Sequence, residues 1–272
     1  YCWSHIPHPS VFDLTRLTKE KKFELYYKGI VKYDDIPANY PLTSAQLMQI
    51  ESEHDNRRFV NADNIQSFLD EIVEPIGFMD FETFQEAIPS YDNQKPYQQI
   101  PFQYSLHILE NGHLTHYEYL AEGVEDPREE FLRRLIKDTE GCRTILVYNQ
   151  AFENSRLKEL AEILPHFSND IHGIINRVKD LMMPFQNKDY YVKEMGGSYS
   201  IKKVLPALVP EMSYGELEIS GGGMAMQAFS SLKRIDDDNE QKRIRNALLK
   251  YCEMDTFAMV RIREKLMEIA QS

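Results

Sequence analysis

The clearest pattern of hydrophobic and polar positions lies at residues 76–83, IGFMDFET, where an apolar run contains two carboxylates spaced two residues apart. Side chains alternate between the faces of a strand, so a strand here would place Asp80 and Glu82 on the same face. Two carboxylates on one face of an apolar strand repel each other and lose hydration unless a cation lies between them. Because oxygen ligands suit hard divalent cations, the pattern predicts a site for Mg²⁺ or Mn²⁺.

Alternating strand and helix patterns follow this stretch. Two strands are predicted at residues 102–110 and 115–123, with a turn at Asn111-Gly112. An amphipathic helix starts after Asp126-Pro127, and the apolar run at residues 144–149 is typical of a strand buried between helices. Further helical patterns cover residues 151–164, 172–183, 200–208, 221–229 and 239–270. This order predicts an α/β sandwich.

The first 74 residues differ from the rest, because their apolar periodicity comes in short pieces separated by prolines. They predict short helices at residues 18–27, 43–52 and 61–72. We therefore expect an N-terminal extension, or the remnant of an upstream domain, over residues 1–74 and the main domain over residues 75–272.

The composition of the 272 residues, 42% hydrophobic and 27% charged, is that of a globular protein with a substantial core. No apolar run is long enough to cross a bilayer and the start does not resemble a signal peptide, so we expect a cytoplasmic protein with no membrane contact. The three cysteines are odd in number and far apart in sequence, which argues against a disulfide framework, and they are too few for a closed structural zinc site. The formal charge of −12 argues against binding polyanions over the whole surface, so a nucleic-acid role would need a local patch, bound metal ions or another domain.

Further polar residues fall where a metal cluster would need them. Asn149 ends the buried strand, and Glu153 lies in the first turn of the following helix, near the carboxyl edge of the sheet where α/β proteins place their sites. Tyr251 and Asp255 are four residues apart in the last helix and share a face.

These residues form three motifs in order: DFE at residues 80–82, NQAFE at 149–153 and YCEMD at 251–255. Together they resemble the DxE, NxxxD and YxxxD motifs of the DEDD-type 3′–5′ exonucleases, in the DEDDy branch. The resemblance covers residues 75–270. The segments FMDFETFQEAIP, KPYQQIPFQYSLH, SYSIKKVLPALVP and YCEMDTFAM are also similar to an uncharacterised bacterial domain of this superfamily, which in longer members follows a RecB-like nuclease region with cluster-binding cysteines. Cys2 would be the last remnant of that region.

The resemblance implies a ribonuclease H-like three-layer sandwich with a mixed, about five-stranded sheet and a small, mainly helical N-terminal extension. It also implies a two-metal phosphodiesterase that acts on nucleic acid with a 3′ end. The enzyme would bind two Mg²⁺ or Mn²⁺ ions. Its partner would be an upstream RecB-like nuclease domain in the same chain. Asp80 would bridge the ions, Glu82 and Asp255 would complete one of them, and Glu153 would hold the other through water. Tyr251 would orient the attacking water. The second motif departs from the family pattern, because Glu153 stands where Asp is usual and is one methylene longer.

Several assignments stay open between a functional and a structural role. Asn149 and Lys202 are candidates for substrate contact, as are Tyr97 and Gln98 in the loop after the first strand, although a solvated helix face or a surface loop explains these types equally well. Asp180 is a candidate helix cap or a support for the site. Two other functions also remain: a non-catalytic ribonuclease H-like platform for a partner nuclease domain, and a hydrolase of small dinucleotides.

Overall fold

The computed structural model describes residues 3–123 and 125–271, so Cys2 lies outside the described residues. Helices and strands alternate along most of this chain. In order, the elements are α1 (Lys19–Tyr27), α2 (Ser44–Asp55), β1 (Phe59–Val60), α3 (Ala62–Asp70), β2 (Ile76–Phe84), β3 (Ile100–Glu110), β4 (His113–Leu120), α4 (Arg128–Thr139), β5 (Thr144–Val147), α5 (Gln150–Ile163), α6 (Ser168–Ile175), β6 (Val178–Asp180), α7 (Met183–Gln186), β7 (Tyr190–Tyr191), α8 (Ile201–Leu208), α9 (Gly222–Leu232) and α10 (Asp238–Ala270).

The main sheet is mixed and has five strands in the order β4-β3-β2-β5-β6. β2, which carries the DFE motif, lies at its centre, antiparallel to β3 and parallel to β5. The β3–β4 hairpin turns at Asn111 and Gly112, both with positive φ (51° and 77°), as the Asn-Gly pair predicted. The motif therefore lies on the central strand of the sheet, next to β5.

Helices cover both faces of the sheet. Met79 and Phe81 of β2 pack with α4, α5 and α6 in one apolar core. On the opposite face, Phe78 packs in a second core with α8, α9 and α10. The predicted α/β three-layer sandwich with a mixed five-stranded sheet is therefore confirmed, and the alternation along β2 turns Asp80 and Glu82 toward α10.

The helix predicted over residues 172–183 is wrong in its second half. α6 ends at Ile175, and after a short turn residues 178–180 form β6, which pairs in parallel with β5. A three-residue strand is too short to show a period of two, and its identity comes from the neighbouring strand with which it pairs. By contrast, the predicted C-terminal helix is present as a single helix of 33 residues.

The three short helices predicted in the first 74 residues are present, with Thr18, Thr43 and Asn61 as N-caps. Loops of this segment are held by the buried side chain of Gln49, which accepts the Thr15 N–H at 2.9 Å and donates to the Asp13 carbonyl at 2.9 Å. β1 pairs with β7, and α3 contacts α10. The segment thus packs directly against the rest of the chain.

Within residues 3–123 and 125–271, none of the helices combines the length and the apolar character required to cross a membrane. The cysteines of this part, Cys142 and Cys252, are both buried and unpaired.

Candidate metal centre

Three carboxylates from two elements converge between the sheet and the last helix. Asp80 and Glu82 extend from β2, and Asp255 extends from α10, which crosses that face of the sheet. One oxygen from each of the three lies within 4.8 Å of the other two. Glu82 and Asp255 are each only 7% exposed, so these charges are held in a poorly hydrated place. The structure therefore brings together three residues that are 175 positions apart in sequence at their extremes, from 80 to 255.

A cavity of about 400 Å³ opens over these carboxylates. Every residue that the three motifs singled out contributes to its wall. The lining includes Asp80, Glu82, Asn149, Glu153, Lys202, Tyr251 and Asp255.

Glu153 reaches the cavity from the opposite helical layer because α5 begins at the carboxyl end of β5. The turn into α5 passes through Asn149, whose φ of 82° is in the left-handed region that asparagine tolerates well. Asp180 at the end of β6 accepts the backbone N–H groups of Asn149 and Gln150, at 2.9 and 3.0 Å. Asp180 therefore caps the start of α5, the helix that carries Glu153, and not the end of the helix predicted over residues 172–183.

Burial makes ionisation of the β2 carboxylates unfavourable. It raises the pKa of Asp80 well above its ordinary value, and Asp255, Glu153 and Glu82 raise it further. Burial and the Asp255 carboxylate raise the pKa of Glu82 to about 8, while Lys202 acts in the opposite direction. Carboxylates placed so close together with little water need positive charge nearby if they are all to ionise.

The two carboxylates on helices are affected in the same direction. Burial raises the pKa of Glu153 to about 8, and the nearby Asp180 adds to the effect. Burial also raises the pKa of Asp255 to about 6, and a hydrogen bond from Tyr214 limits the rise. Glu153 Oε2 is buried and has no hydrogen-bond partner among the described residues. A buried oxygen with no hydrogen-bond partner destabilises the folded state unless a water or an ion contacts it.

Tyr251 and Lys202 lie together beside the carboxylates. The Lys202 ammonium is 3.4 Å from the Tyr251 hydroxyl and donates to the Ser220 carbonyl at 2.5 Å. Burial and the neighbouring carboxylates raise the pKa of Tyr251, so its hydroxyl stays protonated at neutral pH. Tyr251 thus offers a neutral hydroxyl donor, and Lys202 a cation, beside the four carboxylates.

Two neighbours of the site were missed from sequence, one of them, Cys252, inside the third motif itself. Tyr214, in the irregular segment between α8 and α9, donates its hydroxyl proton to Asp255 Oδ1 at 2.7 Å. Cys252 lies against Asp80, with Sγ 3.8 Å from Oδ2, and is fully buried. Residue type and spacing gave no signal for Tyr214, whereas Cys252 follows Tyr251 directly within the third motif. The tyrosine is separated by 41 residues from its partner, and the cysteine was considered only in a disulfide count.

Tyr97 and Gln98 do not join the carboxylates. They line a neighbouring depression with Gln99 and Arg156, and the Tyr97 side chain is 66% exposed. Gln99 lines both this depression and the carboxylate cavity. Gln99, which follows Gln98 in this loop, therefore reaches the carboxylate cavity, whereas Tyr97 and Gln98 do not.

The donor set fits a hard divalent cation. Asp80, Glu82, Glu153 and Asp255 supply only oxygen atoms, and Lys202 is the cationic side chain in the cavity lining. Oε2 of Glu153 accepts no hydrogen bond from the described residues, so it is available to bind an ion or a water. On charge and on ligand type, these residues would accommodate Mg²⁺ or Mn²⁺.

Part of this chain is similar to a described domain. Residues 77–200 match DUF2779, a domain of unknown function. The match includes the first two motifs and ends before Tyr251 and Asp255. An uncharacterized protein of Ureaplasma parvum is 30% identical over 210 residues, which are 68% of this chain and 30% of that protein.

Two mycoplasma proteins give similar matches. An uncharacterized protein of Mycoplasma pneumoniae is 27% identical over 231 residues, 77% of this chain and 34% of that protein. An uncharacterized protein of Mycoplasma genitalium is 24% identical over 233 residues, 78% of this chain and 35% of that protein. The chain spans about a third of the length of these curated relatives. No solved structure matches it.

Proposed function

We propose that this chain is a metal-dependent 3′–5′ exonuclease of the DEDDy type, which hydrolyses phosphodiester bonds of DNA or RNA. The observation that carries the proposal is the convergence of Asp80, Glu82 and Asp255 to within 4.8 Å in a cavity that Glu153 and Tyr251 also line. All five residues belong to the three motifs that resemble this exonuclease family. Buried carboxylates that repel one another are costly to keep in a fold, so their presence together favours a functional role.

Four carboxylates would hold the two ions: Asp80, Glu82 and Asp255 on the α10 side, and Glu153 across the cavity. Divalent ions in such a site supply an activated water at neutral pH and stabilise the charge on the departing oxygen. Tyr251, whose hydroxyl stays protonated, would orient the attacking water. Lys202, whose ammonium is 3.4 Å from that hydroxyl, is placed to contact a substrate phosphate.

A path for the substrate strand continues from the cavity. Tyr148 and Asn149 line both the cavity and a second cleft of about 800 Å³. Arg16 and Lys22 of the N-terminal segment also line this cleft, and the Arg16 guanidinium lies 6.0 Å from the centre of the Tyr199 ring. Basic and aromatic side chains along a groove suit a single strand, whose phosphates need positive charge and whose bases stack on rings. This local patch favours a nucleic acid in spite of the net charge of −12.

The larger protein context is part of the same proposal. The chain spans about a third of its curated relatives, so a second domain in the same polypeptide is compatible with the matches. We propose an upstream RecB-like nuclease domain as that partner, as the sequence resemblance implies.

The proposal is tested with oligonucleotides labelled at the 5′ end, as single and double strands of DNA and RNA, with Mn²⁺ or with EDTA. We expect a ladder of shortened products that requires Mn²⁺ and a free 3′ hydroxyl, and that a blocked 3′ end prevents. Asp80→Ala should abolish it, and Asp70→Ala, which removes an exposed carboxylate on α3, should leave it unchanged.

Other outcomes select the other functions. Turnover of dinucleotides alone would select the small-substrate hydrolase, which the acidic surface suits. Absence of turnover together with absence of Mn²⁺ binding in calorimetry would select the non-catalytic platform.

A further inference from the structure

A second cluster of metal-type side chains lies outside the carboxylate cavity. His107 of β3 and His116 of β4 are partners in the strand register, and their rings stack with centroids 4.4 Å apart. Glu253 of α10 faces them. One donor atom from each of the three lies within 4.8 Å of the other two. None of the three lines the carboxylate cavity.

Hydrogen bonds around the cluster assign the proton on each ring. When the Thr256 hydroxyl donates to the Glu253 carbonyl at 3.0 Å, its oxygen is free to accept from the Ser105 hydroxyl at 2.7 Å and from His107 in its Nδ1–H tautomer at 2.8 Å. The Ser105 oxygen then accepts from His116 Nε2–H at 2.9 Å. This assignment pairs every one of these polar atoms and leaves a lone pair on His107 Nε2 and on His116 Nδ1.

Both rings are therefore presented in the form that binds metals. Neutral imidazole is the ligand, and a hydrogen bond from the second ring nitrogen commonly fixes the orientation of a metal-binding histidine. His107 is 5% exposed, and burial lowers its pKa to about 4, with His116 adding to the effect. The Ser105 and Thr256 hydroxyls supply the orienting bonds.

We propose that His107, His116 and Glu253 bind one transition-metal ion of the Zn²⁺ class, through His107 Nε2, His116 Nδ1 and the Glu253 carboxylate. Ligand distances of about 2.0–2.2 Å in a tetrahedral site require donor atoms about 3.4 Å apart. His116 Nδ1 and Glu253 Oε1 are 4.0 Å apart, and the Glu253 side chain is 49% exposed, so rotation of that side chain can bring its oxygen closer. The planes of the two stacked rings are 25° apart, so the rings must also tilt for their lone pairs to meet at one ion.

The ligand chemistry separates this site from the carboxylate centre. Two imidazoles favour Zn²⁺ and other first-row transition metals, whereas the all-oxygen set of Asp80, Glu82 and Asp255 favours Mg²⁺ or Mn²⁺. An ion here would join the β3–β4 hairpin to α10, the helix that also carries Asp255. The proposed Zn²⁺ site does not depend on the proposed nuclease activity.

The test is titration of the whole chain with Zn²⁺ in the presence of excess Mg²⁺, followed by X-ray absorption at the zinc edge. We expect one bound Zn²⁺ with scattering from two imidazoles. His116→Gln and Glu253→Ala should each weaken Zn²⁺ binding more than ~10-fold, because each removes a ligand. Loss of a residue that only orients a ligand already weakens metal binding by about 10-fold or more. His113→Gln is the matched control, because His113 is exposed on the same hairpin and outside the cluster.

Three further variants test whether the bound ion occupies this cluster and whether the Thr256 hydroxyl orients its ligand. Asp80→Ala should keep Zn²⁺ binding with its imidazole signature, since it alters the other site alone. Thr256→Val should lower the affinity about 10-fold or more while Thr256→Ser, which keeps the hydroxyl, should not. Circular dichroism checks that each variant is folded. Failure of the wild type to bind Zn²⁺, full binding by His116→Gln, or an equal loss in His113→Gln would overturn the proposal.

Discussion

The Tyr214 hydroxyl donates a hydrogen bond to Asp255 Oδ1 at 2.7 Å, and both side chains are buried. This contact joins the irregular segment before α9 to the helix that carries the third motif. The bond stabilises the ionised carboxylate and so opposes the rise that burial causes in the pKa of Asp255. It also fixes the orientation of the Asp255 carboxylate, which lies beside Asp80 and Glu82.

Replacing Tyr214 by Phe should therefore weaken Mn²⁺ binding about 10- to 100-fold, the usual effect of losing a residue that orients a metal ligand. Isothermal calorimetry with Mn²⁺ measures it. Tyr104→Phe is the matched control, because Tyr104 also donates to an aspartate, Asp138, at 2.5 Å, but on the opposite face of the sheet. Equal affinity in wild type and Tyr214→Phe would show that Asp255 needs no such support.

Asp80→Ala should abolish Mn²⁺-dependent hydrolysis while leaving the melting temperature in EDTA unchanged or raised. The substitution removes a carboxylate whose ionisation Asp255, Glu153 and Glu82 oppose, so it relieves repulsion. Thermal unfolding followed by circular dichroism measures the change.

Asp180→Ala provides the contrast. Its carboxylate accepts the backbone N–H groups of Asn149, Gln150 and Met182, so its loss should lower the free energy of unfolding by about 1–3 kcal/mol in any buffer. A larger destabilisation by Asp80→Ala than by Asp180→Ala would mean that Asp80 is a structural residue.

The stability of the metal-free protein should fall as the pH rises from about 4.5 to about 8. Burial raises the pKa of Glu82 and of Glu153 to about 8 and that of Asp255 to about 6, all above the ordinary carboxyl range. The folded state therefore binds more protons than the unfolded state in this window, and stability is lost as they dissociate. Urea unfolding in EDTA at a series of pH values measures the slope.

Mn²⁺ should reverse that dependence, because it binds the ionised carboxylates of the folded state. Glu82→Gln should flatten the slope in EDTA, since it removes one of the shifted groups. A metal-free protein that gains stability between pH 5 and pH 8 would contradict the raised pKa values.

The parts of the fold that could be predicted are those with long, regular patterns. The nine residues of β2 form an apolar run marked by two carboxylates, the 33 residues of α10 form a long helical pattern, and the Asn111-Gly112 pair specifies its turn. The short strands β1, β6 and β7 have two or three residues each, so only pairing with a neighbour identifies them. Local pattern gives no information about such partners.

The candidate site divides in the same way. Asp80, Glu82, Glu153, Tyr251 and Asp255 occur at fixed spacings within three motifs, and the structure brings all five to one cavity. Tyr214 reaches the site through tertiary packing, with no spacing to mark it, and Cys252, although inside the third motif, has a residue type that the motif does not specify. The same holds for the cleft that Arg16 and Lys22 line, because those residues come from the N-terminal segment.

Tyr251→Phe should lower the rate of hydrolysis about 10- to 1000-fold while leaving Mn²⁺ affinity nearly unchanged. The hydroxyl is placed to position the attacking water and is not a metal ligand in the proposed mechanism. Comparing the rate with the calorimetric affinity distinguishes the two roles. Parallel losses in rate and in Mn²⁺ affinity would show instead that Tyr251 supports the metal ligands.

Glu153 provides the sharpest test between an enzyme and a platform. Its Oε2 is buried without a partner among the described residues, and its carboxylate faces the cavity from α5. If it acts through water, Glu153→Asp should keep the rate within about tenfold, a barrier change of about 1.4 kcal/mol, because water can fill the space left by the shorter side chain. Glu153→Gln should lose far more, since it keeps the size and removes the charge.

The comparison between these two variants is informative because they separate length from charge at one position. Rates on 5′-labelled single strands with Mn²⁺ measure both, and Glu159→Gln, on the same helix but paired with Arg156 outside the cavity lining, serves as the control. An ordering in which Glu153→Gln is more active than Glu153→Asp would show that side-chain length, not charge, matters. Were the wild type and both variants inert on DNA and RNA with Mg²⁺ or Mn²⁺, the exonuclease would be excluded, and the buried carboxylates would belong to a non-catalytic platform.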